Sequence, residues 1–139
     1  MNERFVHLVY RIIVPGIPRS SRARSRSTWM NQVSSIAESV CTSPLEGDDL
    51  VIDITIYYTG LPTFDNDNVL KPICDALEGV CYHNDHQISE HRIRRRALKG
   101  FSGSIKDVSP ELFEALKRGD DFVSIEISRV SPSQEEQED

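Results

Sequence analysis

The sequence contains few of the features that mark secreted, zinc-binding or membrane proteins. Its three cysteines are Cys41, Cys74 and Cys81, and no two of them form a Cys-x-x-Cys pair. This pattern predicts neither a disulfide framework nor a zinc knuckle, and we expect Cys74 and Cys81 to be small buried hydrophobic residues. No apolar run approaches the roughly 20 residues of a membrane span, so no membrane partner is expected.

The first residues also do not follow the pattern of a secretion signal. The stretch FVHLVYRIIVP is interrupted by His7 and Arg11 and is not followed by a small-residue cleavage site, which argues against a signal peptide. Together with the cysteine usage, this predicts a soluble protein in a reducing, cytoplasmic setting.

Net positive charge is scarce, since the formal net charge is -6. Four acidic residues lie in the last nine, SPSQEEQED, which contain neither a base nor an apolar residue. We therefore expect an acidic disordered tail at 131–139 and a single domain at 1–130. Within that domain, positive charge is concentrated in two segments, RSSRARSR and HRIRRRALK.

An acidic cluster stands out in the stretch FDNDNVLKPICDALEGVCYHND. Asp65 and Asp67 are two residues apart, which in an extended segment places both side chains on one face, where like charges are costly without a cation. The cluster therefore predicts a metal site. An ordinary Asp- and Asn-rich turn is the alternative. A calcium EF-hand is excluded, because its required glycine and glutamate positions are Leu70 and Ala76.

Hydrophobic periodicity predicts alternating strands and helices. Because proline disfavours the helical conformation in the residue before it, we expect 65–71 to be mostly loop and a short helix to run from Pro72 to Leu77. The order β, α, β, α, β, α, β predicts an α/β or α+β domain with a mixed β-sheet and packed helices. The predicted strands are RFVHLVYRIIVPG, DLVIDITIYYT, QISEHRIRRRAL and FVSIEISRV; the other helices start at Trp29, capped by Ser27 or Thr28 after an Arg/Ser loop at 19–27, and at Ser109, ending at Gly119.

The acidic stretch resembles the signature of the RusA family of Holliday junction resolvases, endonucleases typical of phages and prophages. The family pattern is Asp-x-Asp-Asn-x-x-Lys-x-x-x-Asp-Ala-Leu, followed after a short stretch by a pair of acids, a Gln and an apolar residue. One departure is that Asn84 and Asp85 stand where the family has two adjacent acids. The matching residues are Asp65, Asp67, Asn68, Lys71, Asp75, Ala76, Leu77, Asp85, Gln87 and Ile88.

The resemblance implies a catalytic site with a hard divalent ion. Asp65, Asp67 and Asp85 would hold Mg²⁺, for which Mn²⁺ is a possible substitute. Lys71 would stabilise the developing charge on the phosphate, although a simple salt bridge to Asp75 is the alternative. Asp75 would orient Lys71 from outside the ligand set, with a ligand role as the alternative, and Asn68 would likewise support the ligands without binding the metal.

Two further assignments concern histidines and arginines. His83 and His86 flank Asp85, but exposed or capping roles are favoured over a zinc site. The basic segments would bind DNA phosphates, with an ordinary solvated charge run or mobile loop as the alternative. The predicted DNA-binding residues are Arg19, Arg22, Arg24 and Arg26 in the Arg/Ser loop, and Arg92, Arg94 and Arg96 on one face of a strand.

The resemblance therefore implies a Mg²⁺-dependent endodeoxyribonuclease that resolves four-way junctions by paired symmetric nicks, in DNA recombination and repair. A homodimer is implied by the family, because a junction has two symmetric strands to cut. A protein that holds branched DNA without cutting it, and a less selective nuclease for flaps or other branched DNA, remain the alternatives.

Overall fold

Four strands form one mixed sheet in the order β1-β4-β2-β3. The computed structural model describes residues 5–17, 23–60, 66–98 and 109–131, with only the backbone of 23–26 and 66–68 described. Within these residues, no helix is long and apolar enough to cross a membrane. The strands are β1 (Phe5–Pro15), β2 (Leu50–Tyr58), β3 (Ile88–Ala97) and β4 (Phe122–Ser131), and the helices are α1 (Ala23–Val40), α2 (Asn66–Leu77) and α3 (Pro110–Arg118).

The connection between β2 and β3 determines where the site lies. β4 is antiparallel to both β1 and β2, whereas β2 and β3 are parallel. Parallel neighbours need a crossover of a dozen or more residues, usually through a helix, and α2 lies in this crossover. A single 3₁₀ turn, Asp85–Gln87, then leads directly into β3.

The two faces of the sheet have different coverings. Ile12, Ile125, Ile54 and Ile93 form a row of register partners across all four strands, and this row packs against α1 and α2. We call this side the α1/α2 face. On the other side, the α3 face, Tyr57 and Phe122 pack with Ala115 of α3. The domain thus has three layers, with α3 covering one end of its face.

The predicted fold class and the order of elements are confirmed, as are all four strands and α3. Ser109 caps α3 by accepting from the Leu112 backbone N–H, and Gly119 ends it in the left-handed conformation. The start of α1 was predicted too late, because the helix begins at Ala23 rather than near Trp29. Ala and Arg are good helix formers, and extending an existing helix is easier than starting one, so α1 continues beyond its buried stretch.

The expected loop at 65–71 is wrong from Asn66 onwards, because α2 starts there and contains Pro72 in its interior. An interior proline costs about 3 kcal/mol. Val69, Ile73 and Leu77 are fully buried on one side of α2, and each such side chain contributes about 1.5–3 kcal/mol. Burial of this stripe therefore outweighs the cost of the proline.

A disulfide between Cys41 and Cys81 corrects the expectation that the cysteines form none. Their Cα atoms are 5.4 Å apart, although the residues are 40 positions apart in the sequence. The approach results from packing the end of α1 beside the segment after α2, which no cysteine spacing reveals. Cys81 is therefore buried as a disulfide partner, while Cys74 is a buried free thiol as expected. Cysteine usage consequently gives no support for a reducing setting.

Ser131, the first residue of the predicted tail at 131–139, pairs with Phe5 as the last residue of β4. Residues 132–139 lie outside the described residues. Disorder of the tail and the boundary of the domain therefore stay predictions.

Candidate active site

Helix α2 presents a polar side chain on each of two successive turns. Lys71 and Asp75 are exposed, whereas Val69, Ile73 and Leu77 on the other side are buried in the core. Residues four positions apart lie on the same side of a helix, so burial of the apolar stripe directs Lys71 and Asp75 outwards together. No ion pair joins Lys71 to Asp75 among the described contacts of the chain, so the salt-bridge alternative for Lys71 has no support.

Asp85 begins the 3₁₀ turn that precedes β3. Asn84 caps this turn, because its side-chain Oδ1 accepts a hydrogen bond from the His86 backbone N–H at 3.0 Å. The exposed carboxylate of Asp85 is therefore carried by a short, capped turn rather than by an irregular loop.

The side chain of Gln87 fixes the position of this turn. Its Oε1 accepts from the backbone N–H groups of His83 at 2.6 Å and Asn84 at 3.1 Å. Its Nε2 donates to the carbonyl oxygens of Leu45 at 2.7 Å and Gly47 at 2.8 Å. Gln87 is buried, and a buried amide with four partners has no unsatisfied polar group. The side chain thus ties the turn to the segment that precedes β2.

An open pocket of about 450 Å³ brings these elements together. It unites three of the sequence-predicted residues, Lys71, Asp75 and Asp85, and adds His91, which sequence reasoning missed. The strand alternation of β3 places His91 on the opposite side of the strand from Arg92, but alternation does not tell which side carries the pocket. The lining residues are Leu70, Lys71, Cys74, Asp75, Asp85 and His91.

Cys74 forms an apolar part of the pocket wall. Burial raises the pKa of its thiol to about 11, and the negative charges of Asp85 and Asp75 add to this effect. Burial is also the main reason that the pKa of Tyr82 is raised; its hydroxyl donates to the Cys74 carbonyl at 2.8 Å. Cys74 is therefore a neutral thiol at pH 7 and has no thiolate character for nucleophilic catalysis.

The other two predicted metal ligands, Asp65 and Asp67, and the predicted supporting residue Asn68 lie partly outside the described residues. Asp65 is outside the described residues, and Asp67 and Asn68 are described only as backbone, in the first turn of α2. The extended geometry expected for Asp67 is therefore wrong, because its backbone is helical. Within the part of the chain whose side chains are described, no three His, Cys, Asp or Glu residues form a metal-binding group.

The described donors of the pocket nevertheless suit a hard cation. Asp75 and Asp85 offer carboxylate oxygens at an open pocket, and Mg²⁺ is commonly bound by one or two carboxylates together with water and substrate phosphates. The histidines flanking Asp85 do not line the pocket as described. His83 contacts Glu46 at 2.9 Å instead, and His86 is exposed.

The arginines of β3 follow the predicted alternation. Arg92, Arg94 and Arg96 are register partners of Asp53, Thr55 and Tyr57, so the prediction that they share one face is confirmed. That face is the α3 face. Arg19 and Arg22 lie outside the described residues, and Arg24 and Arg26 are described only as backbone of α1. DNA binding by these seven arginines stays a prediction.

Comparison with known families identifies the family to which the chain belongs. The family model described as endodeoxyribonuclease RusA matches residues 19–106, more than half of the chain. The chain belongs to the RusA family. RusA proteins are endodeoxyribonucleases that act on branched DNA, and the matched range contains α2, the 3₁₀ turn and β3, which together form the pocket. A comparison with curated proteins gave no match.

Proposed function

We propose that this protein is a Mg²⁺-dependent endodeoxyribonuclease that resolves Holliday junctions by paired symmetric nicks, in DNA recombination and repair. The observation that carries the proposal is the convergence of Lys71, Asp75 and Asp85 on one open pocket within the RusA-matched range. A cytoplasmic location, where the DNA substrate of a prophage-type nuclease would be found, belongs to the same proposal.

Asp65, Asp67 and Asp85 would hold the metal ion. Mg²⁺ held there would supply charge neutralisation at the phosphate and activation of a water molecule. In the proposed hydrolysis, the water oxygen forms a bond to phosphorus and gives up a proton to solvent, the bond to the leaving sugar oxygen breaks, and that oxygen takes up a proton from solvent. Lys71 is suited to stabilise the negative charge that develops on the phosphate or on the leaving oxygen, because its ammonium group is a mobile point charge.

Asp75 and Asn68 would act on these groups rather than on the phosphate. Asp75 is one helical turn from Lys71 and lines the same pocket, so a small rotamer change of Lys71 would bring the two charges together. In the proposed reaction, Asp75 keeps the Lys71 ammonium directed into the pocket when DNA is bound. Asn68 would support the ligand set from the first turn of α2.

The paired nicks require two sites, and we propose that a homodimer supplies them. Support comes from the first half of β1, an outer strand of the sheet, where Phe5, Val6, Leu8 and Val9 are 46, 57, 45 and 39% exposed. A two-fold antiparallel pairing of β1 with a second copy, centred on His7, would place Val6 beside Leu8 of the partner subunit. Light scattering should give twice the chain mass, and Leu8→Lys should lower it.

The activity is tested with a synthetic four-way junction, with and without Mg²⁺. The expected result is metal-dependent nicks at symmetric positions in two opposite strands. Metal-dependent nicking of one arm would indicate the flap nuclease instead. Tight binding without any cut in Mg²⁺ or Mn²⁺ would indicate the non-catalytic alternative, and unselective degradation would contradict the junction assignment.

A further inference from the structure

β3 presents different residues to the two faces of the sheet, and its pairing with β2 assigns them. His91, Ile93 and Arg95 are register partners of Ile52, Ile54 and Ile56, which belong to the core beneath α1 and α2. Side chains alternate along a strand, so these three residues belong to the α1/α2 face. Arg92, Arg94 and Arg96 belong to the α3 face.

The pocket lies on the α1/α2 face. Four of its lining residues come from α2, which packs on this face, and His91 is its contribution from β3. A DNA strand in the pocket would therefore reach β3 at His91. The next outward-directed position on the same side is Arg95, because the partly buried Ile93 between them packs against the core. Arg95 is exposed and lies about 13 Å along the strand from His91.

Two of the arginines on the α3 face, Arg92 and Arg94, lie beside acidic residues. Asp53 and Glu126 are cross-strand register partners, and adjacent like charges are destabilising. Arg11 forms an ion pair with Glu126 at 2.7 Å. Arg92 Nη1 and Arg94 Nη1 lie 3.8 and 3.6 Å from carboxylate oxygens of Asp53 on the same face. Arg92 also forms an ion pair with Glu90.

We propose that DNA runs along the α1/α2 side of β3, where His91 contacts the strand in the pocket and Arg95 contacts a backbone phosphate farther along. This inference rests on the proposed function, because it identifies how the same pocket holds its substrate. It assigns the substrate contacts of β3 to the residues that alternate with the predicted row of Arg92, Arg94 and Arg96.

The test compares Arg95→Ala with Arg96→Ala. Both remove one positive charge from an exposed position of the same strand, but from opposite faces. Binding to a four-way junction would be measured by fluorescence anisotropy in EDTA at several salt concentrations. Arg95→Ala should weaken binding about tenfold, as for one charge-assisted hydrogen bond, and reduce the salt slope by about 0.9. Arg96→Ala should change both quantities less than Arg95→Ala does.

A second pair of variants tests His91 against a matched histidine. His91→Ala should weaken binding, whereas His86→Ala, which removes an exposed ring outside the pocket, should not. Equal effects of Arg95→Ala and Arg96→Ala, or a larger effect of Arg96→Ala, would overturn the inference. If the unmutated protein neither binds nor cuts junctions, the proposed function fails instead, so the two failures are distinguishable. Urea unfolding of each variant confirms that the fold is retained.

Discussion

The Cys41–Cys81 disulfide allows stability and activity to be separated by experiment. It closes a loop of 40 positions, for which the loss of loop entropy in the unfolded chain corresponds to about 4 kcal/mol at 25 °C. We therefore expect a reductant, or the double change Cys41→Ala and Cys81→Ala, to lower the free energy of unfolding by up to about 4 kcal/mol. For a chain of this length, such a loss lowers the melting temperature by roughly 10 °C or more.

Junction cleavage at 25 °C should survive the loss of this disulfide. The turn that carries Asp85 is held separately by the four hydrogen bonds of Gln87, and a backbone bond from the Leu45 N–H to the Cys81 carbonyl remains at 2.9 Å. The cleavage rate should therefore change less than twofold while stability falls.

The assay combines urea unfolding with a thiol count. In denaturant without reductant, one thiol per chain, that of Cys74, should react with a thiol reagent, and three should react after reduction. The double alanine variant is the control, since a reductant should leave its unfolding curve unchanged. Three reactive thiols before reduction would refute the pairing. A single reactive thiol with no shift on reduction would refute the loop-entropy estimate.

Three further predictions concern the pocket and its support. Gln87→Leu removes four hydrogen bonds of a buried amide, so it should lower the free energy of unfolding in urea by about 2–4 kcal/mol. It should also weaken Mn²⁺ binding measured by calorimetry, and an unchanged metal affinity would contradict the positioning role of Gln87. Burial raises the pKa of Cys74 from 9.0 to about 11, so the folded state favours the neutral thiol. The free energy of unfolding should therefore fall by up to about 2.5 kcal/mol between pH 9 and 11. Cys74→Ala should flatten the dependence of unfolding free energy on pH in this range. Asp85→Asn should abolish cleavage while junction binding in gel shifts persists or tightens, because a negative charge near the phosphate is removed; wild-type cutting by this variant would contradict the site.

Local sequence signals predicted an element correctly where its hydrophobic pattern or its capping residues agree with the tertiary packing. The alternating apolar residues of β2, such as Ile52, Ile54 and Ile56, are buried as their period predicts. In α3, Ser109 and Gly119 act as the cap and the stop that their residue types favour. In these elements, intrinsic preference and tertiary packing act in the same direction.

The errors arose where packing overrides local preference or depends on distant residues. Pro72 predicts a helix start, yet α2 continues through it because the buried stripe including Ile73 outweighs the proline. The Cys41–Cys81 pair depends on how two distant segments pack. His91 belongs to the pocket because of the parallel register of β3 with β2, and no local pattern specifies a register between distant strands.

The geometry of the crossover explains why a rigid turn is needed for Asp85. Asp75 lies on α2 and Asp85 on the turn before β3, and both line the same pocket beside Cys74. Like charges in one pocket repel each other until a cation or a phosphate-bound metal is present, and a flexible turn would relieve this repulsion by moving Asp85 away. The four hydrogen bonds of Gln87 oppose that movement. Under the proposed function, this preorganisation would remove the need to use binding energy to bring the carboxylates together when the metal and the DNA bind.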